Sequence, residues 1–285
     1  MNKCWCGSGL DYEVCHREFD KKINYYKKRG VMTPPKSMIK NQQQIEGIKK
    51  AAVVNNGLLD HIEKNIKIGM STEDIDVLTR EYLKEHNAHS ADLNYEGYPK
   101  SICTSINDVV CHGIPSSDVI LKDGDIINVD ATSELNGYYA DASRMFMMGN
   151  VSDEAKKLVK ITKEAMYEGM KAIKPWKSNI GDIGKAIQKY AHINGYSVVE
   201  EFCGHGIGMT MHEDPYVFHF KTKEDTVLIV PGMVFTIEPM LNQGTRHVHL
   251  NYNDDWTVYT DDGKLSAQWE HTFLVTEDSV EIISK

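Results

Sequence analysis

The sequence predicts an α+β fold of two halves related by a pseudo-twofold axis, preceded by a small metal-held unit. Three observations carry this. A helix, helix, strand pattern recurs with an offset of 107 to 108 residues. An Asn136-Gly137 pair between two apolar runs reads as a β-hairpin. Cys4, Cys6, Cys15 and His16 crowd the first sixteen positions. The 285 residues, 41 % hydrophobic, suffice for one large core or two small ones. There is no apolar run long enough to span a membrane and no signal-peptide pattern. A cytoplasmic protein without a membrane partner is therefore the expectation.

Residues 1–16 offer three thiolates and one imidazole, a full tetrahedral zinc set, with Gly7 and Gly9 allowing the turn between them. So short a segment cannot bury a core, so one structural Zn would have to hold it. The pattern resembles the SEC-C zinc knuckle, which implies zinc binding and docking to a partner protein or the ribosome. Residues 17–37 read as a basic linker: Lys21-Lys22 and Lys27-Lys28-Arg29 precede Pro34-Pro35, which stops helix. Phe19, Tyr25 and Tyr26 interleave with these charges, a mixture suited to lying on RNA or to wrapping the body that follows. Residues 1–40 hold nine basic and four acidic side chains, +5, leaving −14 of the total −9 for the rest. A basic head on an acidic body suits a polyanionic partner.

Residues 38–285 form the main domain. Ile45, Ile48, Ala52, Leu59, Ile62 and Ile66 give a long helix from about residue 42. Ser71-Thr72-Glu73-Asp74 is a capping-box-like start for a second helix. Short strands cover residues 101–111 and lead into the loop His112-Gly113-Ile114-Pro115. Past the hairpin, Ser152 starts another long helix and Ser178 precedes a further one that ends at Asn194-Gly195. In this repeat Gly124 falls on Gly232 and Asp130 on Glu238, strand over strand and acid over acid.

If Asn136-Gly137 is a two-residue turn, Asp130 faces Ser143, with Asp141 its diagonal neighbour on the same face. Two carboxylates there resist ionising together, so either one is protonated or a cation lies between them. His205 sits in the bare run Gly204-His205-Gly206-Ile207-Gly208, Glu238 ends the strand run 234–237, and Glu270 lies in the strand pattern 267–275. A Glu inside a strand core is costly unless paired or liganded. Four carboxylates and one imidazole converging from strands favour a two-metal hydrolytic centre. The donor set does not separate Mn, Fe, Co and Zn.

These residues resemble the type I methionine aminopeptidases, over residues 38–285. The resemblance rests on Tyr98-Pro99-Lys100-Ser101, Cys103 to Asn107, Val110 to Pro115, Asn128-Val129-Asp130, Tyr139-Ala140-Asp141, Gly204 to Gly208, Thr236 to Pro239 and Gln268 to Thr272. It implies a pita-bread fold, a central antiparallel sheet covered by helices. It also implies that two divalent ions (Co, Mn, Fe or Zn) are held by Asp130, Asp141, His205, Glu238 and Glu270, with Asp141 and Glu270 bridging. Glu238 is the implied proton carrier, and His112 and His212 the implied hydrogen-bonding partners of the scissile peptide. The implied methionine pocket is Tyr95, Tyr98, Cys103 and Trp256, with Met211 nearby. Asn107 and Val109 carbonyls with Ser266 are implied to hold a monovalent cation, Na or K. Asp92 and Met211 depart from residues common in relatives, which bears on the pocket rim.

The expected reaction is removal of the initiator methionine from nascent polypeptides when the second residue is small, by a monomer. A proline-specific aminopeptidase of the same fold and a non-catalytic ribosome- or translocon-binding protein are the alternatives. A structural Ca²⁺ module would want carbonyl-rich loops in place of His205.

Overall fold

The computed structural model describes residues 2–223 and 226–285. At the N-terminus, α1 (Tyr12–Cys15) is capped by Asp11, whose Oδ1 accepts the Glu13 N–H at 2.9 Å. The next segment is not the linker expected from its composition. Helix α2 (Arg17–Lys27) places Phe19, Ile23 and Tyr26 on one face and docks it on the main body. The Phe19 ring lies 5.2 Å from Trp176, Tyr26 stacks on Trp176 at 6.0 Å, and the Tyr26 hydroxyl donates to the Trp176 carbonyl at 2.6 Å. Of the two uses open to the basic-aromatic mixture, wrapping the body is what these two rings do, while Tyr25 stays exposed under Arg29. Regular helix ends before Pro34-Pro35.

The internal repeat is present, with Ile66 and Ile173 closing the first helix of each half 107 residues apart and Ser71 and Asn179 capping the second 108 apart. Helices α3 (Gln42–Asn65) and α4 (Thr72–Glu85) in the first half answer to α5 (Asp153–Ala172) and α6 (Ile180–Ile193) in the second. The cap of α6 is Asn179, not the neighbouring Ser178. Asp182 accepts from Asn179 N at 3.0 Å just as Asp74 accepts from Ser71 N at 2.8 Å. Ser178 Oγ is instead used within the preceding turn, bonded to Lys174 N and O. The lone bridges Ser71↔Ile120 and Asn179↔Leu228 are likewise 108 residues apart.

The hairpin pairs strand Ile126–Leu135 with strand Tyr138–Met147 in the expected register, Asp130 opposite Ser143 and Thr132 opposite Asp141. Asn136 and Gly137 both take positive φ, 54° and 80°, as a type I′ turn requires. Strand Cys103–Ile106 pairs along the other edge of Ile126–Leu135, with Cys103 opposite Asp130. In the second half, strand Val234–Ile237 lies between Gly204–Gly206 and His271–Val275 in a five-stranded antiparallel sheet. Helices α3 and α4 bury Leu58, Leu59, Ile62 and Ile75 against Ile127, Val129 and Ala142 of the hairpin. Helices α5 and α6 bury Leu158, Ala165, Ile183 and Ile187 in a cluster with Phe235, Ile237 and Phe273.

Two strands change sheets at the centre. Val234–Ile237 runs through Glu238-Pro239 into Met240–Asn242, which pairs in another sheet with Ser266–Gln268. That strand in turn runs through Trp269-Glu270 into His271–Val275, back in the first sheet. Glu270 is therefore not inside one continuous strand as its sequence pattern suggested. It sits at a crossover, where its backbone N–H and C=O reach Ser143 of the hairpin at 3.3 Å each. Both crossovers turn a carboxylate out of the ladder and toward the junction of the two halves.

Candidate metal centre

A cavity of about 440 Å³ opens at that junction. Asp130, Asp141, His205, Glu238 and Glu270 all line it, together with His112, His212, Tyr95, Tyr98, Cys103, Met211 and Trp256. Ligand atoms of Asp141, His205 and Glu270 lie within 4.8 Å of one another. His205 Nε2 is 3.5 Å from Glu238 Oε1 and 3.9 Å from Asp141 Oδ2. His205 Nδ1 lies 3.0 Å from the Gly206 carbonyl. A carbonyl only accepts, so Nδ1 carries the proton and Nε2 presents its lone pair to the carboxylates. Thr236 Oγ1 accepts the His205 N–H at 3.0 Å and donates to Glu238 Oε1 at 2.7 Å, fixing imidazole-bearing strand and acid together.

Burial governs the charges here. It pushes the Asp130 carboxyl up to about 6 and Glu238 up to about 8. Asp141 and Glu270 rise well above the ordinary carboxylate range, by burial first and then by the other acids around them. His205 is pushed down to about 3 by burial and by His212. Four acids that resist ionising face a neutral imidazole, and only a cation lets all four carry charge. Asp141 Oδ1 and Glu270 Oε1 are buried without a hydrogen-bond partner. Orphaned acceptors beside an oriented imidazole nitrogen fit a divalent ion that takes mixed oxygen and nitrogen ligands.

The expected substrate-side residues occupy the same cavity. His112 adopts φ 56°, a left-handed conformation uncommon outside glycine, which costs about 1 kcal/mol. Its ring stands edge-on to Phe202 at 5.3 Å and Trp256 at 6.0 Å, and burial lowers its pKa to about 4. His212 Nδ1 is 2.7 Å from the Tyr95 hydroxyl, and its ring is 4.3 Å from His205. The Tyr98 hydroxyl is tied to the Ile102 and Gly113 carbonyls, so its contribution to the wall is the ring, 5.1 Å from Trp256. Asp92 also lines the wall, with Oδ2 accepting the Thr132 N–H at 3.1 Å. Of the expected monovalent-cation residues, Asn107 and Ser266 meet: the Ser266 N–H donates to the Asn107 carbonyl at 2.8 Å. Val109 pairs with Tyr259 in a separate sheet.

Two supporting residues lie outside the sequence reading. The Glu238 N–H donates to His219 Nε2 at 3.1 Å, with His219 fully buried. Phe202 packs the His112 ring. Neither carries a sequence signal, because one acts on a backbone N–H and the other is an ordinary apolar residue.

At the N-terminus, Cys4, Cys6, Cys15 and His16 come together as a second donor group. Cys6 and Cys15 sulfurs are 3.7 Å apart, and His16 Nδ1 is 3.1 Å from both Cys4 and Cys15 sulfurs. Zn–S bonds of about 2.3 Å place tetrahedral sulfurs roughly 3.8 Å apart, so the spacing suits zinc. All six cysteines are free thiols.

Residues 46–277 match the metallopeptidase family M24, and residues 2–18 match the SEC-C motif. The chain belongs to metallopeptidase family M24. Its similarity to the methionine aminopeptidase of Escherichia coli strain K12 is 45 % identity over 247 residues, 86 % of this chain and 93 % of that one. Methionine aminopeptidase A of Synechocystis is 48 % identical over 244 residues, 86 % of this chain and 96 % of the other. A crystal structure of methionine aminopeptidase from Rickettsia prowazekii superposes with a TM-score of 0.84 at 42 % identity, covering 87 % of this chain and 99 % of that one. A prolidase from Pyrococcus furiosus, 20 % identical with a TM-score of 0.70, shares the fold. In this M24 chain the pita-bread architecture is the two-halved arrangement described above, with the acids at its centre. Among the described residues no helix is long and apolar enough to cross a membrane.

Proposed function

We propose that this metallopeptidase removes the initiator methionine from nascent polypeptides whose second residue is small. The observation that carries the reading is the meeting of Asp130, Asp141, His205, Glu238 and Glu270 in one cavity whose other wall is aromatic. The names of the relatives at 45 % and 48 % identity support the same substrate.

In this reading Asp130, Asp141, His205, Glu238 and Glu270 would hold two divalent ions, Co, Mn, Fe or Zn. When bound, the ions supply Lewis acidity at the scissile carbonyl and lower the pKa of a water. The protein's own groups do the rest. Glu238, steadied by Thr236 Oγ1 and by His219 at its backbone, is placed to carry the proton toward the leaving amine. His112, lowered to about 4 by burial, and His212, lowered by partial desolvation, are both neutral at pH 7, each with one N–H to give. In the tautomer where the Tyr95 hydroxyl donates to His212 Nδ1, Nε2–H is left to donate to the peptide and to its tetrahedral intermediate. Tyr95, Tyr98, Cys103, Met211 and Trp256 form an apolar wall suited to a thioether side chain. A monovalent ion at Asn107, Val109 and Ser266 belongs to the same reading.

The decisive assay is hydrolysis of Met-Ala and Ala-Pro peptides by the metal-loaded protein and by Asp141→Asn. Cleavage of Met-Ala that is lost in the variant is the expected result. Full activity in the variant sinks the site assignment, and preference for Ala-Pro moves the enzyme to the proline-specific reading. A non-catalytic ribosome- or translocon-binding role is disfavoured, since all five donors are in place. The knuckle, holding one Zn, and the basic face of α2 are read as a tether to the ribosome in the cytoplasm for a monomeric enzyme. Equal, weak co-sedimentation with ribosomes of the full chain and of residues 38–285 removes the tether.

A further inference from the structure

Met211 and His212 line the cavity from the end of a turn, residues 209–212. Met209, Thr210 and His212 are all exposed, yet the turn must hold the His212 imidazole against Tyr95 and beside His205. Glu213 is what fixes it. Its Oε1 accepts the backbone N–H of Met209 at 2.6 Å and of Thr210 at 3.0 Å, and Thr210 Oγ1 donates to the His212 carbonyl at 2.9 Å. The other Glu213 oxygen is paired with Lys40 Nζ. The Lys40 side chain is 3 % exposed and that of Glu213 16 %.

Lys40 comes from the far end of the chain, and its own position is set firmly. Its backbone N–H donates to the Gly232 carbonyl at 2.8 Å. The next residue, Asn41, caps α3 through its Oδ1, which accepts from Gln44 N at 2.9 Å. Burying an ammonium costs several kcal/mol unless a partner meets it, and apolar replacements for a buried ion pair commonly leave a fold no less stable. Such a pair contributes little to stability and much to geometry. A charge fixed on one carboxylate oxygen leaves the other aimed at two N–H groups of a turn that has almost no packing of its own.

We propose that Lys40 and Glu213 are positioning residues for His212: the buried pair sets the turn that presents the imidazole to the scissile peptide. This rests on the reading of His212 as a donor to the substrate. Neither residue touches substrate; both act through the turn.

The test is a double-mutant cycle on the full-length, metal-loaded protein with a Met-Ala peptide. Lys40→Met is expected to lower kcat about 10- to 100-fold, as a displacement of a reacting group by about an ångström does, while KM moves less than about threefold. In a His212→Ala background the same change is expected to alter kcat less than about twofold, since the group it positions is gone. Glu213→Gln, which keeps an acceptor oxygen at the turn and weakens its hold on Lys40, is expected to show the same non-additivity and serves if Lys40→Met does not fold. Wild-type kcat in both variants, or equal losses in the two backgrounds, overturns the proposal. Side-chain NMR of the His212 imidazole gives a second readout that needs no turnover: one sharp set of signals in the wild type, and shifted or exchange-broadened signals in the variants. Unchanged signals also overturn it. A wild type that does not cleave Met-Ala refutes the methionine-removal reading instead, and the imidazole spectra still decide the positioning claim.

Discussion

Take the metal-free protein through pH 6.5 to 8. Glu238 is held up to about 8 in the fold against an ordinary 4.5. Its folded-state pKa is raised, so its contribution to stability is fully present below about pH 4.5 and is lost as pH rises through about 8. Across this window the unfolded chain has Glu238 ionised while the fold still carries the proton. Stability then falls at up to ~1.4 kcal/mol per pH unit, and integrating to pH 8 gives about 2 kcal/mol from this residue. The buried histidines work the other way. His112, His205, His219 and His271 are pushed down to between about 3 and about 4 in the fold but are half protonated in the unfolded chain at pH 6.5, so each adds about 0.4 kcal/mol of stability by pH 8, equally in wild type and in a Glu238 variant. At roughly 2 °C per kcal/mol for a chain of this size, the Glu238 contribution alone lowers the melting temperature by about 4 °C. The assay is thermal unfolding of chelator-treated wild type and Glu238→Gln at pH 6.5, 7.2 and 8. Any loss of knuckle metal is common to both and cancels. The wild type is expected to lose about 4 °C more than the variant across the window, and restoring divalent metal is expected to stabilise it more at pH 8 than at pH 6.5. Parallel curves for the two proteins would refute the claim that the fold forces a proton onto Glu238.

Three further outcomes are expected. Asp141→Asn leaves one charge fewer for the same cations, and elemental analysis should find fewer than two ions at the main site, with kcat/KM down by at least about 10³-fold. Removing residues 1–37 should take away one zinc per chain and leave the other ions in place, read by the same analysis. Phe19→Ala should cost about 3 kcal/mol of α2 docking, seen as faster tryptic cleavage at Lys27, Lys28 and Arg29 with little change in peptidase rate.

Much of this molecule was legible because its signals are local. The capping pair Ser71 and Asp74, the Asn136-Gly137 turn and the 3.6-residue spacing of α3 each specify their own backbone. The 108-residue repeat then located Glu238 from Asp130. The failures share a cause as well. Ser178 and Asn179 are both good caps in adjacent positions, and which one is used depends on the bridge from Asn179 to Leu228, a tertiary fact. Helix α2 shows only Phe19, Ile23 and Tyr26 as an apolar face, and its partner Trp176 is far away in sequence. Glu270 looked like a strand residue because alternation reports burial on a face, not a change of hydrogen-bonding partner midway. His219 acts on one backbone N–H, a role open to many residue types and invisible without coordinates.

The two crossovers at Glu238-Pro239 and Trp269-Glu270 have a mechanical consequence. Each of these acids is gripped on both flanks by a different sheet, so fraying of either sheet alone leaves it anchored by the other. Register slip, the usual weakness of a strand, is blocked, because sliding along one ladder would have to tear the second. The acidic wall is therefore the still side of the cavity. The turn ahead of Glu213, by contrast, lies open to water and connects two strands of a single sheet.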